Sequence, residues 1–410
     1  MNLSLNFPIS DHIINILTPR EKLPPSEWCE KYVYLPKSVS NRRFGFIKFQ
    51  KWSKEILDDY VTSPKTKLRV IRSSAQAGKT QLLICIALYN LFCVEQNVFI
   101  VLHDDKTAKD VIGRMRKIIK ASPYLYKLYD NKKGMQSKYD MNLLNGCSAK
   151  IATAGSPGSL RSYSAGCVII DEVDASKNIL NGEGSLIDIC EARTNSYGET
   201  ANIWICSTPT NQYGNISVEY DRSLSHIWTL KCPECNKDVK LDFDQIRYDT
   251  KWTQRELEAN IDAIEWRCPH CKGTQKQKKF IEMRELGSFV ELEGQKDKSS
   301  YIKGFHISGM MSAQKTFVDL CRKHQEALHD HTKWQTFLNL ELGEIYTAGR
   351  KALKKAELMK HIKNDLPYGV APHDTMLIIK GADVGREEGK DYHFYSTTVA
   401  FQPGNRYTII

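Results

Sequence analysis

The stretch VIRSSAQAGKTQLL, residues 70–83, has the residue types and spacing of a phosphate-binding loop. That pattern asks for a glycine, four free positions and Gly-Lys-Ser/Thr between a strand and a helix. Here LRVI precedes and QLLICIALYNLF follows, while Ser73 takes the place of the first glycine. The loop Ser74, Ala75, Gln76, Ala77 and Gly78 would cradle a triphosphate, with Gly78 allowing close backbone approach. Lys79 would reach the β and γ oxygens of ATP, and Thr80 would hold Mg²⁺. A second apolar run, CVIIDEVD at residues 167–174, ends in adjacent carboxylates. Asp171 would order the magnesium shell and Glu172 would polarise the attacking water, as phosphoryl transfer requires. A third run, NIWIC, ends in Ser207, Thr208, Pro209 and Thr210, small hydroxyl residues able to sense a γ-phosphate beside a stiffening proline.

Arg161, in the Gly- and Ser-rich GSPGSLRSYSAG, has two readings. It neutralises charge on a transferring phosphoryl group, or it is a surface arginine or DNA-phosphate contact. Two cysteine pairs stand apart from the rest: Cys232 and Cys235 in CPEC, Cys268 and Cys271 in CPHC. They supply four thiolates for a tetrahedral Zn²⁺, and with no open position that zinc would be structural. The long separation between the pairs predicts an extended hairpin. The basic residues around them, Lys231 to Lys279, read as a DNA-phosphate surface or as a solvated charged face. Cysteines in apolar runs such as CVII and IWICS are small core hydrophobes, and no disulfide framework is expected.

Such residues meet only if the strands carrying them end at a common edge. Short apolar runs alternate with longer helical stretches from residue 46 onward: KLRVI, NVFIVLH, KIATA, CVIID and NIWICS. The fold class is therefore α/β, a P-loop NTPase core with a mainly parallel sheet and helices on both faces. The expected division is an N-terminal arm at 1–45, the core at 46–230, a zinc ribbon at 231–280, a return strand and helical connector at 281–372, and an unfinished domain at 373–410. A formal charge of +10 favours a polyanionic partner, nucleic acid first. Neither a signal peptide nor a run of eighteen apolar residues is present, which predicts a soluble intracellular protein without a membrane partner.

Taken together the motifs resemble the large terminase subunit of tailed bacteriophages, of the lambda-like GpA type. The residues that carry the resemblance, in that family's order, are SEWCEKYVYLP, AQAGKTQLL, AGSPGSLRSYSAGCVIIDEVDAS, EARTNSYGE, STPTNQYGNI, CPEC with CPHC, YIKGFHISGM, FLNLELGE and GADVG. The resemblance implies an ATP-driven motor that moves double-stranded DNA into a procapsid, joined to an RNase H-like metal-dependent nuclease. It implies a ring of identical subunits on a portal protein in the host cytoplasm, with a small terminase subunit as partner. It makes Gln50 an adenine contact, with a solvent-facing glutamine the other reading, and Ser207 to Pro209 the coupling motif. Asp383 becomes the first metal-binding aspartate of the nuclease. Because the other carboxylates would lie beyond residue 410, the expectation is a truncated nuclease half without endonuclease activity. Two further readings stay open: a helicase-like translocase with a zinc module, and a non-hydrolysing DNA-binding prophage remnant.

Overall fold

Alternate residues of the apolar runs face two separate cores, and this is what makes a sheet with helices on both sides. In β3 (Leu68–Ser73), Leu68 and Val70 join one core and Ile71 the other; in β4 (Val98–Leu102), Phe99 and Val101 join the first, and Val98, Ile100 and Leu102 the second. A computed structural model describes residues 21–40, 43–132, 136–176, 184–347, 369–385, 393–403 and 406–409. The chain forms two compact units, Met1–Thr347 and Ala348–Ile410.

In the first unit a small pairing of β1 (Tyr34–Leu35) with β2 (Gly45–Phe46) precedes a ten-stranded sheet. Besides β3 and β4, the sheet contains β5 (Asp140–Asn142), β6 (Ser148–Thr153), β7 (Cys167–Asp171), β8 (Asn202–Ser207), β9 (Leu224–Lys231) and β10 (Asp238–Lys240). Past the small sheet of β11 (Ile246–Arg247), β12 (Glu265–Arg267) and β13 (Thr274–Gln275), it is completed by β14 (Ser288–Glu291) and β15 (Ile302–Ile307). The order is β10-β9-β15-β3-β8-β7-β4-β6-β5, with β14 on β9. From β9 to β6 every neighbouring pair is parallel.

Four helices matter for the site: α1 (Pro25–Tyr32), α2 (Lys51–Thr62), α3 (Lys79–Tyr89) and α4 (Asp105–Ala121). Residues Leu82 to Tyr89 of α3 are all buried, so this helix is apolar all round, as a central core helix must be. α1 sends Trp28 and Cys29 into the same core, where Trp28 meets Tyr32, Tyr89 and Tyr124 edge-on or tilted. Arg69 of β3 is 1% exposed, and its guanidinium bonds the Asp59 carboxylate at 2.7 Å and the carbonyls of Thr66, Asp59 and Ser63. That full set of acceptors is what makes a buried cation tolerable, and it fastens α2 to the strand that carries the phosphate-loop sequence.

The second unit holds an antiparallel sheet of β16 (Leu377–Gly385), β17 (His393–Gln402) and β18 (Arg406–Ile409). The runs TMLIIKGADVG and RYTII both read as strands in the sequence, and the described residues add β17 between them. Asp383 lies in β16, opposite Tyr395 in register. Asp391, a further carboxylate that the nuclease resemblance could draw on, falls outside the described residues.

Candidate nucleotide site and metal centre

Because β3, β8 and β7 are parallel neighbours, their C-terminal ends lie side by side on one edge of the sheet. Those ends carry the loop 74–78, Thr208 and the Asp171–Glu172 pair. The Lys79 Nζ donates to Thr208 Oγ1 at 2.8 Å and to the Ser74 carbonyl at 3.1 Å. The Thr80 hydroxyl donates to Asp171 Oδ2 at 3.0 Å. Residues separated by ninety or more positions thus converge on one spot. Ser73 is the last residue of β3, buried, with its hydroxyl on the Ser74 carbonyl at 3.1 Å. A strand residue has no use for glycine's freedom. The left-handed positions come later, at Gln76 (φ 56°) and at Gly78 (φ 90°), which precedes the first turn of α3.

Asp171 is 3% exposed, and burial pushes its carboxyl up from the ordinary range, opposed by the Thr80 hydroxyl and by Lys79. An anionic carboxylate beside a threonine hydroxyl is a donor set that suits Mg²⁺, which typically takes one or two carboxylates and completes its shell with phosphate oxygens and water. Glu172 follows in a left-handed conformation (φ 54°), its N–H donating to Asp171 Oδ1 at 3.0 Å and its side chain about half exposed. That backbone state is costly for a non-glycine and turns Glu172 out while Asp171 points in. His103, just beyond β4, brings Nδ1 to 2.9 Å from Glu172 Oε2, at ion-pair distance without in-line hydrogen-bond geometry.

A cavity of about 400 Å³ opens beside the loop, lined by Gln76, Ala77 and Gly78 on one side and by Phe44, Phe46, Gln50 and Arg114 among others. Gln50 is held there by Trp52 Nε1, which donates to its Oε1 at 3.2 Å, and by Glu285 Oε1, which accepts from its Nε2 at 3.2 Å. Ser74 and Ala75 commit their N–H groups to the Ile307 and Leu340 carbonyls, each at 2.8 Å, so this part of the loop is anchored on protein. Gly343 (φ 68°) packs against it so closely that an added Cβ would lie 2.6 Å from the Ser74 nitrogen and 3.0 Å from the Ile307 oxygen. Gly343→Ala is therefore expected to lower stability by about 1–3 kcal/mol and to raise the KM for ATP. Denaturant unfolding with steady-state kinetics checks this, and an unchanged midpoint would refute the close packing.

Arg161 is not part of this cluster. It ends the short helix Pro157–Arg161 after β6, four strands along the sheet from β3, with an exposed side chain and its carbonyl accepting from Arg193. Asp174 is a residue the motif reading passed over. Its Oδ2 accepts from the Thr210 N–H at 3.0 Å and hydroxyl at 2.8 Å, while Oδ1 accepts from the Ile216 N–H at 2.7 Å. Ser207 donates its hydroxyl to the Thr208 carbonyl at 3.0 Å and accepts from the Asp174 N–H at 3.3 Å. The signal for Asp174 is the third carboxylate of IIDEVD, and only the fold shows that it serves the neighbouring loop.

The four cysteines form the second site. Their sulfurs lie within 4.8 Å of one another, with Cys232–Cys271 at 3.7 Å and Cys235–Cys268 at 3.8 Å. The edge of a tetrahedron with Zn–S bonds of about 2.3 Å is about 3.8 Å, so the donor set fits zinc. Both turns are built alike: Asn236 (φ 57°) donates its N–H back to the Cys232 carbonyl at 2.9 Å, and Lys272 (φ 66°) to the Cys268 carbonyl at 3.1 Å. The extended hairpin expected between the pairs is interrupted by a helix, Gln254–Ala259, started by a capping box of Thr253 and Glu256. That helix docks on Phe317–Ala327, with Arg322 bonded to Glu258 at 2.9 Å, so the insert is tied to the body of the unit. Several of its lysines are paired with acids: Lys231 with Asp238, Lys276 with Glu265, Lys279 with Glu282.

Fold and strand-end cluster together describe a mixed α/β domain built on a large, mostly parallel sheet. Residues 51–288 match the phage terminase large subunit gpA ATPase domain, and residues 302–410 match the gpA endonuclease domain. The chain belongs to the gpA family of phage terminase large subunits. It is similar to the large terminase of bacteriophage HK97, at 13% identity and a TM-score of 0.49, over 94% of this chain and 66% of that one. It is also similar to the large terminase ATPase domain of Thermus phage P74-26, at 12% identity and a TM-score of 0.44, over 79% of this chain and all of that one. No curated protein matches. The chain thus spans just under two thirds of the HK97 terminase.

The endonuclease match overturns two expectations, that the nuclease half is truncated and that endonuclease activity is absent. It begins at Ile302, the first residue of β15, which pairs with β3 along six residues. Seen structurally, residues 302–347 sit with the first unit, and the matched region therefore straddles both.

Proposed function

We propose that the chain is the ATP-hydrolysing part of a DNA-packaging motor that drives double-stranded DNA into a procapsid. The observation that supports it most is the convergence of Lys79, Thr80, Asp171 and Thr208 at one sheet edge, beside a cavity of about 400 Å³. In this reading the base enters the cavity and meets Gln50, while Gln76 to Thr80 face the phosphates from the N-terminus of α3. Thr80 and Asp171 hold Mg²⁺, which when bound neutralises charge on the β and γ oxygens. Glu172 orients water for in-line attack. Ser207 and Thr208 register loss of the γ-phosphate, and the loop that follows moves the DNA. Arg161, remote from its own chain's site, serves a neighbouring subunit's nucleotide in a homo-oligomeric ring.

Zinc at Cys232, Cys235, Cys268 and Cys271 is structural. The portal protein and the small terminase subunit are the protein partners, in the cytoplasm of the host. The second unit belongs to an RNase H-like nuclease with Asp383 as one metal carboxylate. Domain boundaries near residues 45, 230, 280 and 372 follow this division of labour. The test is ATP turnover by the purified chain with Mg²⁺, with and without linear duplex DNA. Turnover should require Mg²⁺ and rise with DNA. A chain that binds DNA yet hydrolyses no ATP under any of these conditions would be a scaffold, and the motor reading would fall.

A further inference from the structure

We infer that the segment from Phe337 to Tyr346 transmits the state of the loop after β8 to the chain leading into the second unit, and that Asn339 is the positioning residue through which it does so. The inference rests on the nucleotide-site reading above. Asn339 is 7% exposed. Its Nδ2 donates to the Thr210 carbonyl at 2.8 Å, and its Oδ1 accepts the Tyr346 N–H at 3.2 Å. The next residue, Leu340, accepts the Ala75 N–H at 2.8 Å. Two adjacent residues therefore hold both loops of the site: the one following Thr208 and the one leading to Lys79.

An asparagine suits this position because it carries a donor and an acceptor at fixed separation, and each faces a backbone group of opposite kind. Buried groups of this sort are costly to leave unpaired, so Thr210 and Tyr346 stay linked through one side chain. On its other side Thr210 is gripped by Asp174, two residues beyond Glu172. A displacement of Thr210 on phosphate loss thus has a hydrogen-bonded route through Asn339 toward Tyr346, after which the chain runs on to residue 348 and the second unit. Gln335 Nε2 meets the same carbonyl at a longer 3.5 Å, and its side chain makes no onward link among the described residues. The segment itself winds as a π turn, Phe337–Leu342, a form that occurs mostly as single-turn bulges and is frequent at functional sites. Phe337 and Leu342 are buried at its two ends, which keeps the turn seated while the Asn339 side chain and the Leu340 carbonyl meet the loops.

Two substitutions separate transmission from support. Asn339→Asp keeps the acceptor for Tyr346 and loses the donor to Thr210, whereas Asn339→Leu loses both at similar volume. Both should leave the DNA-free ATP turnover and the KM for ATP within about twofold of the parent, while the stimulation by duplex DNA falls about fivefold or more, the lower range of coupling between sites. Unchanged stimulation overturns the inference, as does a parallel loss of DNA-free turnover, which would make Asn339 a support of the nucleotide loop. Absence of any DNA stimulation in the parent overturns it too, while Mg²⁺-dependent hydrolysis would leave the nucleotide site standing. Should the variants fail to fold, hydrogen exchange on the unaltered chain decides: peptides covering 208–214 and 339–346 should change protection together between ADP and a non-hydrolysable ATP analogue. A change confined to 208–214 refutes transmission.

Discussion

Lys79→Ala is expected to lower ATP turnover by about 10²- to 10³-fold or more while the protein still folds, the loss typical when one preorganised donor to developing charge is removed. The lysine makes two hydrogen bonds, to the Thr208 hydroxyl and the Ser74 carbonyl. Both acceptors are neutral, and the ammonium is half-buried, so its loss costs the fold about 1–3 kcal/mol. A thousandfold loss of rate is about 4 kcal/mol of transition-state stabilisation, which the ammonium supplies only when a phosphate is there to receive it. The two effects are separable: the melting temperature should move by a few degrees, and turnover should nearly vanish. Steady-state hydrolysis and a thermal melt on the same preparation check this. Equal turnover in variant and parent would remove Lys79 from the site, and a collapsed melt would reassign it to structure.

How much of this was legible in the sequence depends on whether the signal was local. The strands were legible because apolar runs such as CVIID and NIWIC carry their own punctuation, an acidic or hydroxyl residue at the end. The two cysteine turns were legible for the same reason: spacing alone builds each half of the site. What stayed hidden depended on pairing. No local pattern says that β8 lies between β3 and β7, and it is this order that brings Thr208 to Lys79. Nor does any local pattern bring Asn339 to Thr210 across 129 positions, or leave Gly343 no room beside Ser74. Ser73 departs from the motif's glycine because the strand runs one residue further than the template implies. The division near residue 372 follows the strand-like run TMLIIKGADVG; the compact units divide after Thr347, and the endonuclease match begins at Ile302 in the parallel sheet.

Removing zinc should be felt far beyond the four cysteines. Structural zinc contributes about 10–16 kcal/mol in small zinc domains, as much as the whole folding stability of an ordinary domain, about 5–15 kcal/mol. Cys232 and Cys268 are 1% and 0% exposed and belong to the same core as Trp266, Phe243 and Phe337. Phe243 meets Phe337 edge-on at 5.1 Å, and the Tyr248 hydroxyl lies 2.7 Å from His324 Nδ1. Phe337 in turn opens the turn whose Leu340 carbonyl holds Ala75, in the loop that leads to Lys79. Loss of the metal therefore loosens the insert first and the loop second. Metal analysis should find about one zinc per chain. Chelation, or Cys268→Ser, should lower the melting temperature by ten degrees or more, roughly what losing several kcal/mol produces in a chain of this size, and ATP turnover should fall afterwards although no cysteine ligand touches the nucleotide site. A chain with less than a tenth of an equivalent of zinc, or one whose melt is indifferent to chelator, would show that the sulfurs pack without a metal.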